Sequence, residues 1–104
     1  MSQESTKPNA IRMHEDDTVA VLVRDVACGE PIILKGGSEP AVIARGAIPF
    51  GHKVALRAVK AGDPVLKYGE KIGIATAEIA PGDHVHVHNV RGLKPSERGV
   101  KIDG

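Results

Sequence analysis

The chain has 104 residues and a mass of 10.9 kDa, which holds one domain. Its 14 Lys and Arg against 13 Asp and Glu give a net charge of +1, without the basic excess of a nucleic-acid module. One cysteine, Cys28, excludes an intramolecular disulfide and a cysteine-rich zinc site, and no apolar run reaches the roughly 20 residues that span a bilayer.

Val supplies 12 residues and Ile 9, against 5 Leu, and β-branched side chains suit strands. The 12 Gly and 7 Pro are spread along the chain and interrupt any long helix. The expected fold is mostly β, with short strands and little or no helix. Phe50 and Tyr68 are the only aromatics, so the core is aliphatic and thin. Part of the stability is therefore expected from a partner or from a homo-oligomer.

In chain order, residues 1–10 are polar and read as a disordered lead-in without the apolar stretch of a signal peptide, which makes a cytoplasmic protein the expectation. Asp17 to Val23 reads as a continuous apolar strand with Val19, Val21 and Val23 on one face. Pro31 to Lys35 and Ala41 to Arg45 are short strands around the hairpin signal Gly36-Gly37. Lys53 to Val59 alternates Val54, Leu56 and Ala58. Val65-Leu66-Lys67 and Ile72 to Thr76 flank a turn at Tyr68-Gly69-Glu70, where the tyrosine is expected to pack. Val85 to Val90 closes a body expected over residues 11–90. A short helical turn fits near Ala58 to Lys60 or Ala77 to Ala80. Residues 91–104 read as an extended basic tail.

One pattern occurs three times: an aliphatic residue, two variable residues, Gly, an acid, a variable residue and an aliphatic. Val26 to Ile32, Val59 to Val65 and Ile79 to Val85 carry it. Gly accepts positive φ, the acid bonds nearby backbone N–H groups, and the aliphatics anchor both ends. Single copies of such turns are generic in β proteins. Cys28 lies in the first copy and reads as a small buried or half-buried residue.

Three of the five histidines stand in His84-Val85-His86-Val87-His88. As a strand, this places the imidazoles on one face and Val85 and Val87 toward the core. Neighbouring imidazoles at that spacing can converge on a divalent metal, can bind a carboxylate, or can simply face solvent. His52 and Lys53 follow Gly51 at a strand entrance, where Lys53 offers a charge to a carboxylate. Asn89 follows the histidine row and can orient a ligand through its amide. A thin aliphatic core does not accommodate four imidazoles, so His86 and His88 are expected to approach His52. His84 is the least certain of the row. The sequence contains no P-loop, dinucleotide fingerprint, nucleophile elbow or EF-hand loop.

The repeated turn resembles the signature of the SAF domain, a β-clip module related to antifreeze-like domains. Ile11 to His14, Asp17 to Val21, Gly51-His52-Lys53-Val54-Ala55-Leu56, Val65 to Gly73 and Gly82 to Asn89 occur in that order. This string resembles the N-terminal domain of altronate and galactarate dehydratases and the alpha subunit of sulfolactate sulfo-lyase, a split member of that family. The resemblance implies a lyase that eliminates a group β to the carboxylate of a small hydroxy acid. It implies a divalent metal, iron or manganese, in the assembled enzyme. It also implies a separate large catalytic subunit, without which this chain is inactive. On that reading His52, His86 and His88 serve as metal ligands, proton carriers or carboxylate binders, with His86 and His88 as the metal pair and Lys53 and Asn89 on the substrate. A non-catalytic sugar-acid-binding or assembly module and a free-standing metal-binding protein are the competing readings.

Overall fold

The computed structural model describes residues 7–37 and 39–97. In chain order its strands are β1 (Ala10–Ile11), β2 (Val19–Leu22), β3 (Pro31–Ile32), β4 (Val42–Ile43), β5 (Lys53–Ala55), β6 (Pro64–Lys67), β7 (Glu70–Ala75), β8 (His84–Val85) and β9 (Val90–Arg91). The mostly β architecture expected from composition is what forms. Residues 58–60 and 77–80 are not helical, and the helical element among the described residues is a 3-10 turn at Pro95–Glu97. No helix among these residues is long and apolar enough to cross a membrane.

The strands form three antiparallel sheets in the orders β1-β2-β5-β8, β3-β4 and β6-β7-β9. The hairpin at Gly36-Gly37 joins β3 to β4, as expected. In the β6–β7 hairpin, Tyr68 (φ 60°) and Gly69 (φ 73°) form the two-residue loop, the positive-φ pair that matches strand twist. The buried Asp17 holds this loop by accepting hydrogen bonds from the N–H groups of Tyr68 (3.0 Å) and Gly69 (2.7 Å). Tyr68 does not pack; its ring is displayed at the hairpin tip, 62% exposed.

The repeated turn is the building unit, and it occurs four times. Gly29, Gly62 and Gly82 have φ of 87°, 93° and 93°, and the N–H of the following acid closes each turn on the carbonyl three residues back at 3.0 Å. The fourth copy is Ile48-Pro49-Phe50-Gly51-His52-Lys53-Val54. Gly51 has φ 85°, and the His52 N–H closes on the Pro49 carbonyl at 3.0 Å. The sequence pattern misses this copy because a histidine stands in the acid's place. Each turn docks by the same pair of bonds: Gly donates to a partner carbonyl, and the partner's N–H returns to the next carbonyl. The partners are Ala44 for Gly29 and Glu30, Leu22 for Gly51 and His52, Ala75 for Gly62 and Asp63, and Ala55 for Gly82 and Asp83, all at 2.8–2.9 Å.

The turns pair off. Val26 bridges Ile48, and Val59 bridges Ile79. Each pair closes one hydrophobic core. Val26, Ile32, Ile48 and Val54 join Ala10, Ala20, Leu22 and Ala44 in the first, while Val59, Val65, Ile79 and Val85 join Val19, Ala55 and Ala75 in the second. Each fully buried Val, Leu or Ile contributes about 1.5–3 kcal/mol. Residues 22–54 and 55–85 are thus two versions of one arrangement.

Several expected boundaries move. Asn9 and Ala10 are buried, and the Asn9 side chain donates to the Pro31 carbonyl and accepts from the Ile33 N–H, so the fold begins inside the expected lead-in. Arg91 belongs to β9 and forms a two-point ion pair with Glu97 of the 3-10 turn, so the expected tail starts as folded chain. The rest of the lead-in, residues 1–6, and of the tail, residues 98–104, lies outside the described residues. The strand expected over Asp17 to Val23 is shorter and uses both faces: Val19 enters the second core, Ala20 and Leu22 the first, and Val23 is exposed. Cys28 is exposed rather than buried, because it occupies a variable turn position that faces solvent.

Candidate functional site: a histidine cluster between two turns

His52 and His84 sit at the entrances of β5 and β8, which pair antiparallel with Val54 opposite His84. Both follow turns that dock on the same sheet, so their rings meet: His52 Nδ1 and His84 Nε2 are 2.8 Å apart. The strand expected to continue to Val90 stops at Val85. Asn89, largely buried, causes the stop. Its Oδ1 accepts from the His86 N–H and its Nδ2 donates to the His84 carbonyl, both at 2.9 Å. The chain turns over Asn89, so Val87 points outward and is 81% exposed instead of entering the core. The His86 ring stacks on that of His52 at 4.4 Å.

The result is a set of three ring nitrogens, from His52, His84 and His86, all within 4.8 Å of one another. His52 and His86 come together as expected. The expectation paired His86 with His88 as metal ligands; the three-nitrogen set instead groups His86 with His52 and His84. His88 lies beyond the turn, in ring contact with His84 at 5.3 Å, and is outside the three-nitrogen set. His84, the least certain from sequence, takes its place. The signal was present in the turn pattern, because His84 follows Asp83 just as Lys53 follows His52. Asn89 spends its amide oxygen and one of its two N–H donors on the backbone it shapes, and it also lines the polar groove beside His84 and His88.

The electrostatics favour the neutral forms of the His84 and His86 rings. Burial first, then the neighbouring His52, His88 and His86, pushes His84 below the ordinary histidine value. Burial, then His52, Lys53 and His88, does the same to His86. A ring-to-ring contact of 2.8 Å requires one N–H and one lone pair, which two facing imidazolium rings do not provide. Lys53 is half-buried and also lowered, first by burial and then by Lys67.

The donor set fits a divalent cation. Neutral imidazole is the ligating form, and two nitrogens on one ion at about 2.0–2.1 Å each stand at most about 4.2 Å apart. The three nitrogens, all within 4.8 Å of one another, stand close to that limit. Two grooves flank the cluster. One, of about 260 Å³, is walled by Ile72, Val85, Val87 and Val90 beside Lys53 and His86. The other, of about 370 Å³, is polar and lined by Arg45, Glu78, Asp83, His84 and His88.

A paired-turn β domain with a three-histidine cluster is the class of module this geometry defines. The family model of the altronate/galactarate dehydratase SAF domain matches residues 8–93, and the chain belongs to that family. The altronate dehydratase of Bacillus subtilis (strain 168) is 38% identical over 81 residues, covering 78% of this chain and 16% of that protein. The (2R)-sulfolactate sulfo-lyase subunit alpha of Paracoccus pantotrophus is 45% identical over 60 residues, covering 58% of this chain and 90% of that subunit. The galactarate dehydratase (L-threo-forming) of Escherichia coli (strain K12) is 35% identical over 83 residues, covering 80% of this chain. The chain spans 16% and 15% of the length of these two dehydratases. The relatives are lyases, so the family expected from the turn and histidine motifs is the one found.

Proposed function

We propose that this domain is the small part of a lyase that dehydrates a sugar acid such as altronate or galactarate, completed by a separate large catalytic subunit. The observation that carries this reading is the convergence of His52, His84 and His86 in a domain whose relatives are lyases. In such an elimination a base removes the proton α to the carboxylate, the β-hydroxyl leaves as water after gaining a proton, and the enol product tautomerises to a 2-oxo acid. His52, His84 and His86 would hold the divalent cation, iron or manganese, and when bound that ion would supply a positive charge for the developing enediolate. His88 stands outside the ligand set and lines the polar groove, where it can carry a proton. Lys53 adds positive charge beside His86 and favours an anionic ligand. The domain supplies binding and charge, and the large portion supplies the remaining acid–base groups.

A second reading, a sulfolactate sulfo-lyase, is supported by the 45% identity across 90% of an alpha subunit. There the leaving group is sulfite, which departs without protonation. That relative also carries the name of a subunit, which supports a division of labour between two chains.

The test is reconstitution. The 104-residue chain is mixed with a large chain of this family from which its own SAF domain has been deleted. Altronate, galactarate and (2R)-sulfolactate are then supplied with iron(II) or manganese(II). Turnover is expected from the mixture and from neither part alone. Turnover by the small chain alone, or no gain with any such large chain, overturns the reading.

A further inference from the structure

We propose that Arg45 is the carboxylate-binding residue of a hydroxy-acid subsite in the polar groove beside the histidine cluster. The proposal rests on the reading of that cluster as the reaction centre. The two grooves that share the histidines differ in what they can hold. The groove walled by Ile72, Val85, Val87 and Val90 is mostly apolar, so desolvating a polyol there is unfavourable, and its one guanidinium, Arg91, is held at two points by Glu97, which leaves Lys53 and His86 as its polar partners. The polar groove offers a guanidinium from Arg45, carboxylates from Glu78 and Asp83, and imidazoles from His84 and His88. Those are the partners a polyhydroxylated carboxylate requires.

Arg45 is placed rather than loosely tethered. Its backbone N–H donates to the Gly82 carbonyl at 2.9 Å. A side chain at Gly82 would collide with the Ile43 carbonyl oxygen and stand 3.2 Å from Arg45 Cγ. The arginine stem therefore lies against the turn that carries Asp83 and His84, whose close approach to the Ile43 carbonyl requires glycine at position 82. Arg45 Nη1 is 3.3 Å from Asp83 Oδ1. The other Asp83 oxygen already accepts from the Ala80 N–H at 2.8 Å. Among the described residues this is the ion pair of the guanidinium, whose side chain is 58% exposed and lines the groove, so donors remain for a ligand. A planar fork held at one corner by an acid is suited to a bidentate grip on a carboxylate. Lys53, which the sequence suggested for this role, stands on the apolar groove and offers only a point charge.

The experiment uses the full chain and two probes, galactarate and the neutral polyol galactitol, each titrated to about 10 mM while side-chain and backbone NMR signals are followed. Galactarate is expected to move the Arg45 Nε–H signal and the amides of Gly46, Ala77 and Glu78, and galactitol is not. Arg45→Met should weaken galactarate at least about tenfold, and Arg45→Lys, which keeps the stem and charge, should give an intermediate loss. Cobalt(II) binding, read from paramagnetic shifts of His52, His84 and His86, should be the same in all three proteins. No perturbation of the groove, perturbation at Lys53 and Ile72 instead, or an Arg45→Met protein that binds galactarate as before overturns the proposal. Failure of cobalt to bind while galactarate still moves Arg45 removes the metal reading and leaves the subsite standing. Cobalt bound with galactarate indifferent to Arg45 removes the subsite alone.

Discussion

The two halves of the fold, residues 22–54 and 55–85, treat the same turn position differently. The first half places His52 there and the second Asp83. In the second half Ala80 has an N–H that needs an acceptor, and Asp83 Oδ2 supplies it at 2.8 Å. In the first half the equivalent residue is Pro49, which has no N–H. The proline has moved by one position, from 81 to 49's place in the turn, and Phe50 now carries the N–H that Pro81 lacks. Asp25, from outside the turn, accepts from it at 2.7 Å. The carboxylate demand of the first half is thus met elsewhere, and position 52 is released for an imidazole. A reactive side chain can occupy a structural position where the backbone no longer asks for a structural one.

The largest test of this comparison compares two glycines that are equivalent in the halves. Gly82→Ala would meet the Ile43 carbonyl and the Arg45 stem at positive φ, and the expected loss is at least about 3 kcal/mol, read by urea unfolding. Gly51→Ala has open space around it and strains only the backbone, so about 1–2 kcal/mol is expected. Equal losses would show that the halves are packed alike, against the geometry described.

A smaller effect is expected from the carboxylate that ties the opening of the fold to the β6–β7 hairpin. Burial raises the Asp17 pKa, but hydrogen bonds from Gly69 and Tyr68 and the nearby His14 outweigh it, and the net direction is below the ordinary value of 3.8. Such a group stabilises the fold above its unfolded value, and that stabilisation is lost as pH falls through the lower folded value. Asp17→Asn should cost about 1–3 kcal/mol at neutral pH and flatten the loss of stability below pH about 4. An unchanged acid limb in the unfolding curve would remove Asp17 from this role.

The smallest change in stability, and the most direct probe of the exchanged position, comes from His52→Asp. Pro49 offers no N–H to the new carboxylate, so stability should shift by less than about 0.5 kcal/mol. The acid replaces a neighbour that disfavours protonation, so His84 and His86 should titrate higher, as followed by NMR. Their titration unchanged would mean that the rings do not share one site in solution.

The acid-bearing turns were legible because glycine, acid and aliphatics at fixed spacing state the requirement for positive φ and two anchors. The fourth turn was hidden because its requirement is met by Pro49 and Asp25, which lie outside that pattern. Strand lengths were over-read for a related reason. Alternation assumes one buried face, whereas Val19 and Ala20 are both buried, each in a different core. The histidine row looked like a strand because nothing local announces that the Asn89 amide will turn the chain back on His84 and His86. Arg45 carries no sequence signal at all, since its placement depends on a glycine 37 positions away in the numbering.

Two strands belong to both cores, and this gives the chain a direction in which to be made. The buried residues of the first core end at Val54, and Leu56 just beyond packs against them. Once that length has emerged during synthesis, turns one and four can close and β2 can pair with the start of β5. What that intermediate still leaves uncovered is Val19, together with the free edge of β5 that later receives β8. The nascent first half is then a template: it presents an apolar side chain and an unpaired strand edge to the next 30 or so residues as they appear, and the second half assembles on it.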